Sequence, residues 1–268
     1  MDELIIVRGG GDLATGVIQK FFRADFNVLV LETGSPTAIR RTVALCEAVY
    51  TGLAVVEDMR CRRVESVSQA KLCWANNEIP LVIDPAGEVI QQKRPAAVID
   101  AIMAKRNINT TRKMAPVTIA LGPGFTAGED VDIVIETKRG HDLGRLVMEG
   151  SALPNTGVPG LVGGKAEQRV IHASQAGTIK HRLGIGDIAQ AGEVLFYIDD
   201  NPVQALFTGL IRGLIVNGMF VEKGTKVADI DPRTDVDVYT ISDKARCIGG
   251  AALEAFFYLR KLNGGSKL

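Results

Sequence analysis

The sequence predicts an α/β protein in which a mostly parallel sheet is followed by a small all-β part and a C-terminal helix. Three observations carry this prediction. Apolar strand-like runs alternate with helical spacing in the N-terminal half, a 32-residue pattern occurs twice further on, and an amphipathic stretch closes the chain. The expected parts are residues 1–165, 166–240 and 241–268.

A Gly-rich turn lies between the first predicted strand and the first helix. Leu4–Val7 is a continuous apolar run, as expected of a buried parallel strand. Gly9, Gly11 and Ala14 fit the pattern G-x-G-x-x-[GA], apolar residues then recur at helical spacing, and Asn27–Leu31 is the next strand. Strand, Gly turn, helix and strand are the context that a dinucleotide fingerprint requires. The N-terminal domain is therefore predicted to be Rossmann-like and to bind a nucleotide.

The turn and the end of the second strand contribute the expected cofactor-binding residues. Glycines permit the tight turn and the close approach of phosphate, and the helix N-terminus attracts an anion. Glu32 lies where an acid would accept hydrogen bonds from a ribose diol. The expected set is Gly9, Gly10, Gly11, Asp12, Ala14, Thr15 and Glu32. The alternative is a turn that only closes a strand–helix unit, with Glu32 at a solvated strand end.

The alternation continues through the N-terminal half. Strands are predicted at Pro80–Asp84, Ala97–Met103, Val117–Leu121 and Val131–Glu136, and a helix at Ser66–Asn77. Strands that alternate with helices indicate an open, mostly parallel sheet.

A second group of candidate residues follows the last of these strands. Glu136, Arg139 and His141 come directly before a segment rich in Gly and Pro. Ligand crevices in open α/β sheets form outside the carboxyl ends of the strands. We therefore expect these three residues to form a catalytic set or to contact the polar end of the ligand, with His141 able to exchange a proton near neutral pH. A solvated run of charges explains the same residues equally well.

The most regular pattern in the chain is the 32-residue repeat. Its first copy holds Gly177, Ile179, Gly186, Gly192, Leu195, Ile198 and Asp199, and its second holds Gly209, Ile211, Gly218, Gly224, Val227, Ile230 and Asp231. Two copies of short strands and Gly turns suit a small pseudo-twofold β sandwich or barrel. The segment resembles the biotinyl/lipoyl barrel-sandwich module, whose carrier members present a lysine on the hairpin between the halves. Here that hairpin is Asp199–Pro202 and holds no lysine, so a structural or docking role is expected.

The last predicted element is a helix that begins near Ser242 or Asp243. Its broad apolar stripe must be buried, against the first domain or against a partner such as a second copy of the chain.

Composition excludes several classes of protein. Lys plus Arg equals Asp plus Glu at 31 each, and aromatics are 5%, which argues against nucleic acid or an anionic membrane as partner. The four cysteines form no C-x-x-C pair, so buried thiols are expected and no metal cluster or disulfide framework. No apolar run approaches about 18 residues, and none resembles a signal peptide. A cytoplasmic location is therefore expected.

Six motifs together resemble the YqeB family, the accessory proteins of selenium-dependent molybdenum hydroxylase systems. They are Val7–Gly16, Leu121–Gly128, Ile135–His141, Asn155–Gly160, Ile230–Arg233 and Ile241–Ala245. The resemblance covers essentially the whole chain. It implies a pathway without assigning a catalytic residue.

Three hypotheses follow. The first is a maturation factor that binds molybdopterin dinucleotide or a related nucleotide, with a molybdenum hydroxylase or its maturation proteins as partners. The second is an NAD(P)-dependent enzyme that acts on a small substrate, with His141 as acid or base. The third is an interaction module without a nucleotide, in which the Gly loops are structural.

Overall fold

The computed structural model describes residues 3–155, 157, 164–165 and 167–264. The chain forms two compact units. One contains Met1–Pro36, Ala44–Asn155 and Ile241–Leu268, and the other contains Thr37–Val43 and Thr156–Thr240. The sequence places the boundary after residue 165. The structure places it ten residues earlier and moves Thr37–Val43 into the second unit.

The first unit holds a large sheet and all the α-helices of the described residues. Its strands are β1 (Leu4–Arg8), β2 (Asn27–Glu32), β3 (Leu53–Val56), β4 (Met59–Arg63), β5 (Ile79–Ile83), β6 (Ala97–Asp100), β7 (Val117–Leu121), β8 (Thr126–Ala127), β9 (Ile133–Ile135), β10 (Leu146–Val147) and β11 (Gly150–Ser151). Its helices are α1 (Asp12–Arg23), α2 (Ala48–Thr51), α3 (Ala70–Ala75), α4 (Glu88–Lys93) and α5 (Asp243–Leu262). The predicted α/β class, with a large, mostly parallel sheet and a C-terminal helix, is confirmed.

The order of the strands places β1 at the centre of the sheet. In the described part of the chain the order is β10-β9-β7-β6-β1-β2-β5-β4-β3, parallel from β9 to β4, with an antiparallel strand at each edge. Strands β8 and β11 form a separate antiparallel pair. The chain leaves β1 toward β2 and later returns on the other side at β6. Such a reversal of strand order is where open α/β sheets form their ligand crevices.

Several predicted elements begin or end differently in the structure, and the physical reason is clear for two of them. The strand expected at Ala97–Met103 ends at Asp100, whose carboxylate accepts a hydrogen bond from the N–H of Ile102 at 3.1 Å and so turns the chain. The helix expected at Ser66–Asn77 is shorter, because a capped 3-10 turn at Val67–Gln69 precedes the six-residue α3. Among the described residues, no helix has the length and apolar character needed to cross a bilayer.

Helices α1 and α5 cross with their backbones in direct contact. A Cβ atom at Gly16 would overlap the carbonyl group of Ala245, and one at Gly249 would overlap the carbonyl group of Gly16. Next to this crossing, the rings of Phe21 and Phe256 meet edge to face with centroids 5.6 Å apart. The two glycines therefore set how closely the last helix approaches the first.

Gly249→Ala should lower the free energy of unfolding by about 1–3 kcal/mol, because the added methyl group has no room. The neighbouring Gly250 is an exposed position of the same helix, and a Cβ there meets no atom within 4 Å. Gly250→Ala should therefore stabilise by up to about 1 kcal/mol through helix propensity. Urea unfolding, followed by the fluorescence of the single tryptophan Trp74, measures the free energy of unfolding of both variants. Equal stabilities for the two variants would contradict the close crossing.

The second unit consists of short strands in two four-stranded sheets. They are β12 (Val170–His172), β13 (Gly177–His181), β14 (Ile188–Ala189), β15 (Val194–Ile198), β16 (Asn201–Gln204), β17 (Gly209–Leu214), β18 (Phe220–Val221) and β19 (Lys226–Asp231). In the described residues one sheet has the order β12-β19-β17-β14 and the other β16-β15-β13-β18. A shift by 32 residues converts each order into the other. If β12 is counted with the first copy and β16 with the second, each sheet contains two strands of each copy.

Hydrogen bonds follow the same symmetry. The N–H of Gly186 donates to the carbonyl of Ile211 at 2.9 Å, and 32 residues later the N–H of Gly218 donates to the carbonyl of Ile179 at 2.8 Å. The segment Thr37–Val43 lies outside the repeat but belongs to this unit. The carbonyl of its Ile39 accepts a hydrogen bond from the N–H of Leu214 at 2.8 Å, and its side chain enters the shared core.

Candidate functional site

Gly9 and Gly10 let neighbouring loops approach the end of β1. Gly9 has φ +96°, and a Cβ there would lie 2.9 Å from the carbonyl oxygen of Ala101. A Cβ at Gly10 would lie 2.9 Å from the backbone nitrogen of Cys46. Both glycines are buried, so packing alone accounts for their lack of a side chain.

Gly11 is different, because space remains around it. It precedes α1 in an extended conformation, with φ −66°, and no atom lies within 4 Å of the position of a Cβ. No side chain caps the first turn of α1. Backbone N–H groups at a helix N-terminus bind anions. The space beside Gly11 is therefore open, as the binding of an anion at this helix N-terminus would require.

Glu32 is bound to the turn itself. One carboxylate oxygen accepts a hydrogen bond from the N–H of Gly10 at 2.7 Å, and the other accepts one from the N–H of Thr33 at 2.8 Å. Burial raises the pKa of Glu32, and these two hydrogen bonds partly offset the rise. Each carboxylate oxygen can accept a further hydrogen bond, so a ribose hydroxyl could still bind here.

The remaining predicted turn residues serve structural contacts. Ala14 and Thr15 are buried, and Asp12 is partly exposed in the first turn of α1. The hydroxyl of Thr15 donates to the carbonyl of Gly11 at 2.9 Å and accepts from the N–H of Leu45 at 3.0 Å. A 3-10 turn at Leu45–Glu47 is thereby held against the Gly turn, a neighbour that no local pattern indicates.

A buried polar network beside the Gly turn escaped the sequence analysis. Arg8, the last residue of β1, is 1% exposed and lies 3.7 Å from Asp100 at the end of β6. It donates to the hydroxyl of Thr110 and, at 3.2 Å, to the carbonyl of Pro85, while the Thr110 hydroxyl donates to Asp100 at 2.5 Å. Burial lowers the pKa of Arg8, and the charge of Asp100 counteracts it. The sequence feature that could have indicated this network is an arginine directly after an apolar run.

Glu136 stabilises the loop that follows β9. It is 2% exposed, and its two carboxylate oxygens accept hydrogen bonds from the N–H groups of Lys138 at 2.6 Å and Leu153 at 2.8 Å. A substrate would therefore compete with the loop for this carboxylate.

Arg139 and His141 lie in the same loop and are exposed. Arg139 forms two hydrogen bonds with the carboxylate of Asp243, at 2.8 and 2.9 Å. Strands β7 and β6 separate β9 from β1, which corresponds to about 14 Å across the sheet at about 4.8 Å per strand. The structure thus brings the turn residues together and places Glu136, Arg139 and His141 in a second group. Their catalytic role remains a prediction.

The cysteines differ from expectation at one position. Cys46, Cys61 and Cys73 are buried, as predicted, whereas Cys247 is exposed on α5. Burial raises the pKa of the Cys46 thiol well above its usual value, with the charge of Glu32 as the next cause. In the described part of the chain, no group of three or more His, Cys, Asp or Glu side chains is arranged to hold a metal ion.

Comparison with known proteins yields one informative relative. No protein-family model matches the chain. The uncharacterized protein YqeB of Escherichia coli (strain K12) is 45% identical over 258 residues, which are 96% of this chain and 48% of that protein. This similarity supports the YqeB family. The chain spans about half the length of that curated relative.

Solved structures show only distant likeness. An aspartoacylase family protein from Mesorhizobium loti matches 87% of this chain and 86% of its own, with 10% identity and a TM-score of 0.27. A succinylglutamate desuccinylase/aspartoacylase from Rhodobacter sphaeroides matches 85% of each chain, with 15% identity and a TM-score of 0.28. Scores this low imply neither a shared fold nor a shared chemistry.

Glu136→Gln should destabilise the first unit by about 1–3 kcal/mol, because an amide nitrogen would face one of the two N–H donors. Glu149 is an exposed residue of the same region, so Glu149→Gln provides the control. Urea unfolding and limited proteolysis between residues 137 and 152 measure the effect. If both variants match the parent in stability and protease resistance, Glu136 does not hold the loop.

Proposed function

We propose that this chain is an accessory factor for maturation of a selenium-dependent molybdenum hydroxylase and binds a nucleotide-type cofactor, of which molybdopterin dinucleotide is the leading candidate. The open N-terminus of α1 at Gly11 is the observation that carries the proposal. It lies at the reversal of strand order, where open α/β sheets bind ligands. The similarity to YqeB supports the family, and the pathway is what the resemblance of the sequence motifs to that family implies.

The residues of the turn fit a dinucleotide in two respects. The N–H groups of Gly11 and the first turn of α1 would hold phosphate, and the spare acceptor capacity of Glu32 would hold a ribose hydroxyl. The N–H of Gly10 takes no part, because it already donates to Glu32. A molybdopterin dinucleotide would bring the pterin and its metal as cargo, and the protein would bind and orient it for delivery.

In this proposal the loop after β9 contributes the exposed pair Arg139 and His141, which contact the polar end of the ligand, while Glu136 keeps the loop folded. The partner is the hydroxylase or another maturation protein, in the cytoplasm.

We further propose that the second unit is a barrel-sandwich module of the biotinyl/lipoyl type that carries no group. The exchange of the two sheets by a 32-residue shift supports this assignment. The hairpin between the copies turns at Asp199 and Asp200, where carrier modules present lysine. Its role is then structural or that of a docking surface.

Gly11→Val tests the nucleotide site directly. Its backbone conformation suits any residue and a Cβ there meets no protein atom within 4 Å, so the variant should fold, with a small loss of melting temperature because Val is a poorer N-cap than Gly. Thermal stabilisation by nucleotide should be lost, because the side chain occupies the phosphate position. The probes are CDP, ADP, NAD and NADPH, and mass spectrometry identifies whatever nucleotide copurifies with the parent.

Gly184→Val is the matched control in the second unit, since Gly184 also avoids the left-handed region and a Cβ there has room. In a strain lacking the native protein, Gly184→Val should restore hydroxylase activity and Gly11→Val should not. Full nucleotide stabilisation of Gly11→Val would refute the site. Turnover of NADPH by the parent would favour the NAD(P)-dependent enzyme.

The second unit should remain unmodified in the presence of carrier-protein ligases. Coexpression with biotin and lipoyl ligases should leave the intact mass unchanged, because the hairpin offers no lysine. A mass increase equal to either group would refute this expectation.

A further inference from the structure

A cluster of charges lies at the second copy of the repeat, and the equivalent positions of the first copy form no such cluster. The cluster consists of Arg169, Arg212, Asp229, Asp231 and Arg233, with Arg40 from the segment Thr37–Val43 beside it. Both aspartates are at most 4% exposed and the side chains of Arg169 and Arg212 are each 11% exposed, whereas the side chain of Arg233 is half exposed. The positions 32 residues before Arg212, Asp229 and Asp231 are Lys180, Tyr197 and Asp199. Of these three, Lys180 and Asp199 are exposed and Tyr197 is partly exposed, so the repeat folds without such a cluster.

Each aspartate of the cluster already has its own arginine. Asp229 pairs with Arg169. Asp231 accepts two hydrogen bonds from the guanidinium of Arg233, at 2.9 and 2.8 Å, and one from its N–H at 3.0 Å. Arg212 lies 3.6 Å from Asp231, beyond hydrogen-bonding distance, and its buried Nε has no hydrogen-bond partner.

The backbone directs Arg212 into this position. In the ladder of β17 and β19, Ile211 pairs with Ile230 and Gly213 with Asp229, so Arg212 is the extra residue of a β-bulge. In the other copy Lys180 pairs regularly with Tyr197 and no bulge occurs there. Bulges redirect a side chain at the cost of ladder hydrogen bonds and are frequent next to binding sites.

The position of Arg212 is energetically unfavourable without a bound ligand. Burial lowers its pKa and the charges of Arg40 and Arg169 lower it further, while the charges of Asp229 and Asp231 partly offset this. The Nε of Arg212 is buried without an acceptor, which is unfavourable, whereas the planar fork of a guanidinium matches the oxygens of phosphate and carboxylate. An anion would give this Nε an acceptor.

We propose that Arg212, flanked by Arg40, binds the phosphoryl or carboxylate group of a small anionic ligand in the second unit. The nearby carboxylates do not exclude an anion, because Arg169 and Arg233 neutralise them. This site is independent of the nucleotide site at Gly11.

Isothermal titration calorimetry and thermal unfolding test the proposal with inorganic phosphate, pyrophosphate and citrate, against chloride at equal ionic strength. The parent should bind phosphate or citrate and gain melting temperature, and the preference between them identifies the anionic group. Arg212→Met should reduce the affinity by about tenfold or more. In chloride it should be at least as stable as the parent, because it removes a buried charge without hydrogen bonds. Lys180→Met, at the equivalent exposed position, should respond like the parent. Gly11→Val should keep the part of the anion response that Arg212→Met loses, because that part comes from the second unit.

Arg212→Lys keeps the charge and loses the fork, so it should fold and bind more weakly than the parent. If Arg212→Met does not fold, the affinity for the anion is measured on Arg212→Lys instead. The proposal is overturned if chloride stabilises the parent as well as phosphate and citrate do. It is equally overturned if Arg212→Lys binds with unchanged affinity, or if Arg212→Met folds and keeps the anion response.

Discussion

The close crossing of α1 and α5 is the constraint on which the first unit depends. Helix α1 begins at the Gly turn, so whatever fixes the axis of α1 also fixes the direction of its N–H groups. Gly16 and Gly249 allow the two backbones to touch, and the phenylalanines beside them complete the buried face. The last helix of the chain therefore positions the first turn of the candidate site, although more than 200 residues separate them in sequence.

The two units differ in how many hydrogen-bond acceptors surround their buried arginines. At the end of β1, Arg8 is enclosed by acceptors from three segments, and its charge is matched by Asp100. Such a network stiffens the carboxyl edge of the sheet and holds the loops around the Gly turn. In the second unit Arg212 has no comparable set of acceptors. A buried polar atom without a partner needs an explanation, and for the Nε of Arg212 the anion proposed above provides one.

Local patterns predicted the type of the main elements, including the C-terminal helix, whose partner is distant in sequence. The run at Val117–Leu121 is a strand with the expected bounds, and the 32-residue spacing matches the paired strands of the second unit. Contacts between residues that are distant in sequence left no local pattern from which they could be predicted. Thr37–Val43 joins the second unit through the hydrogen bond between Leu214 and Ile39, the one from Thr42 to the carbonyl of Val238, and the apolar side chain of Ile39. The 3-10 turn against Gly10 and the burial of Arg212 arise only after distant strands assemble, so charge and spacing alone could not predict them.

The exchange of strands between the two sheets has a consequence for how the protein folds. Neither copy of the repeat can complete a sheet, because each sheet takes two strands from each copy. A nascent chain that has emerged only as far as Ile198 exposes unpaired strand edges, and it must wait for β17 to β19 before it can bury its core. The formation of these contacts between distant residues is slow, and the waiting chain is vulnerable to aggregation. Synthesis of the second copy is therefore the step that commits this unit to its native topology.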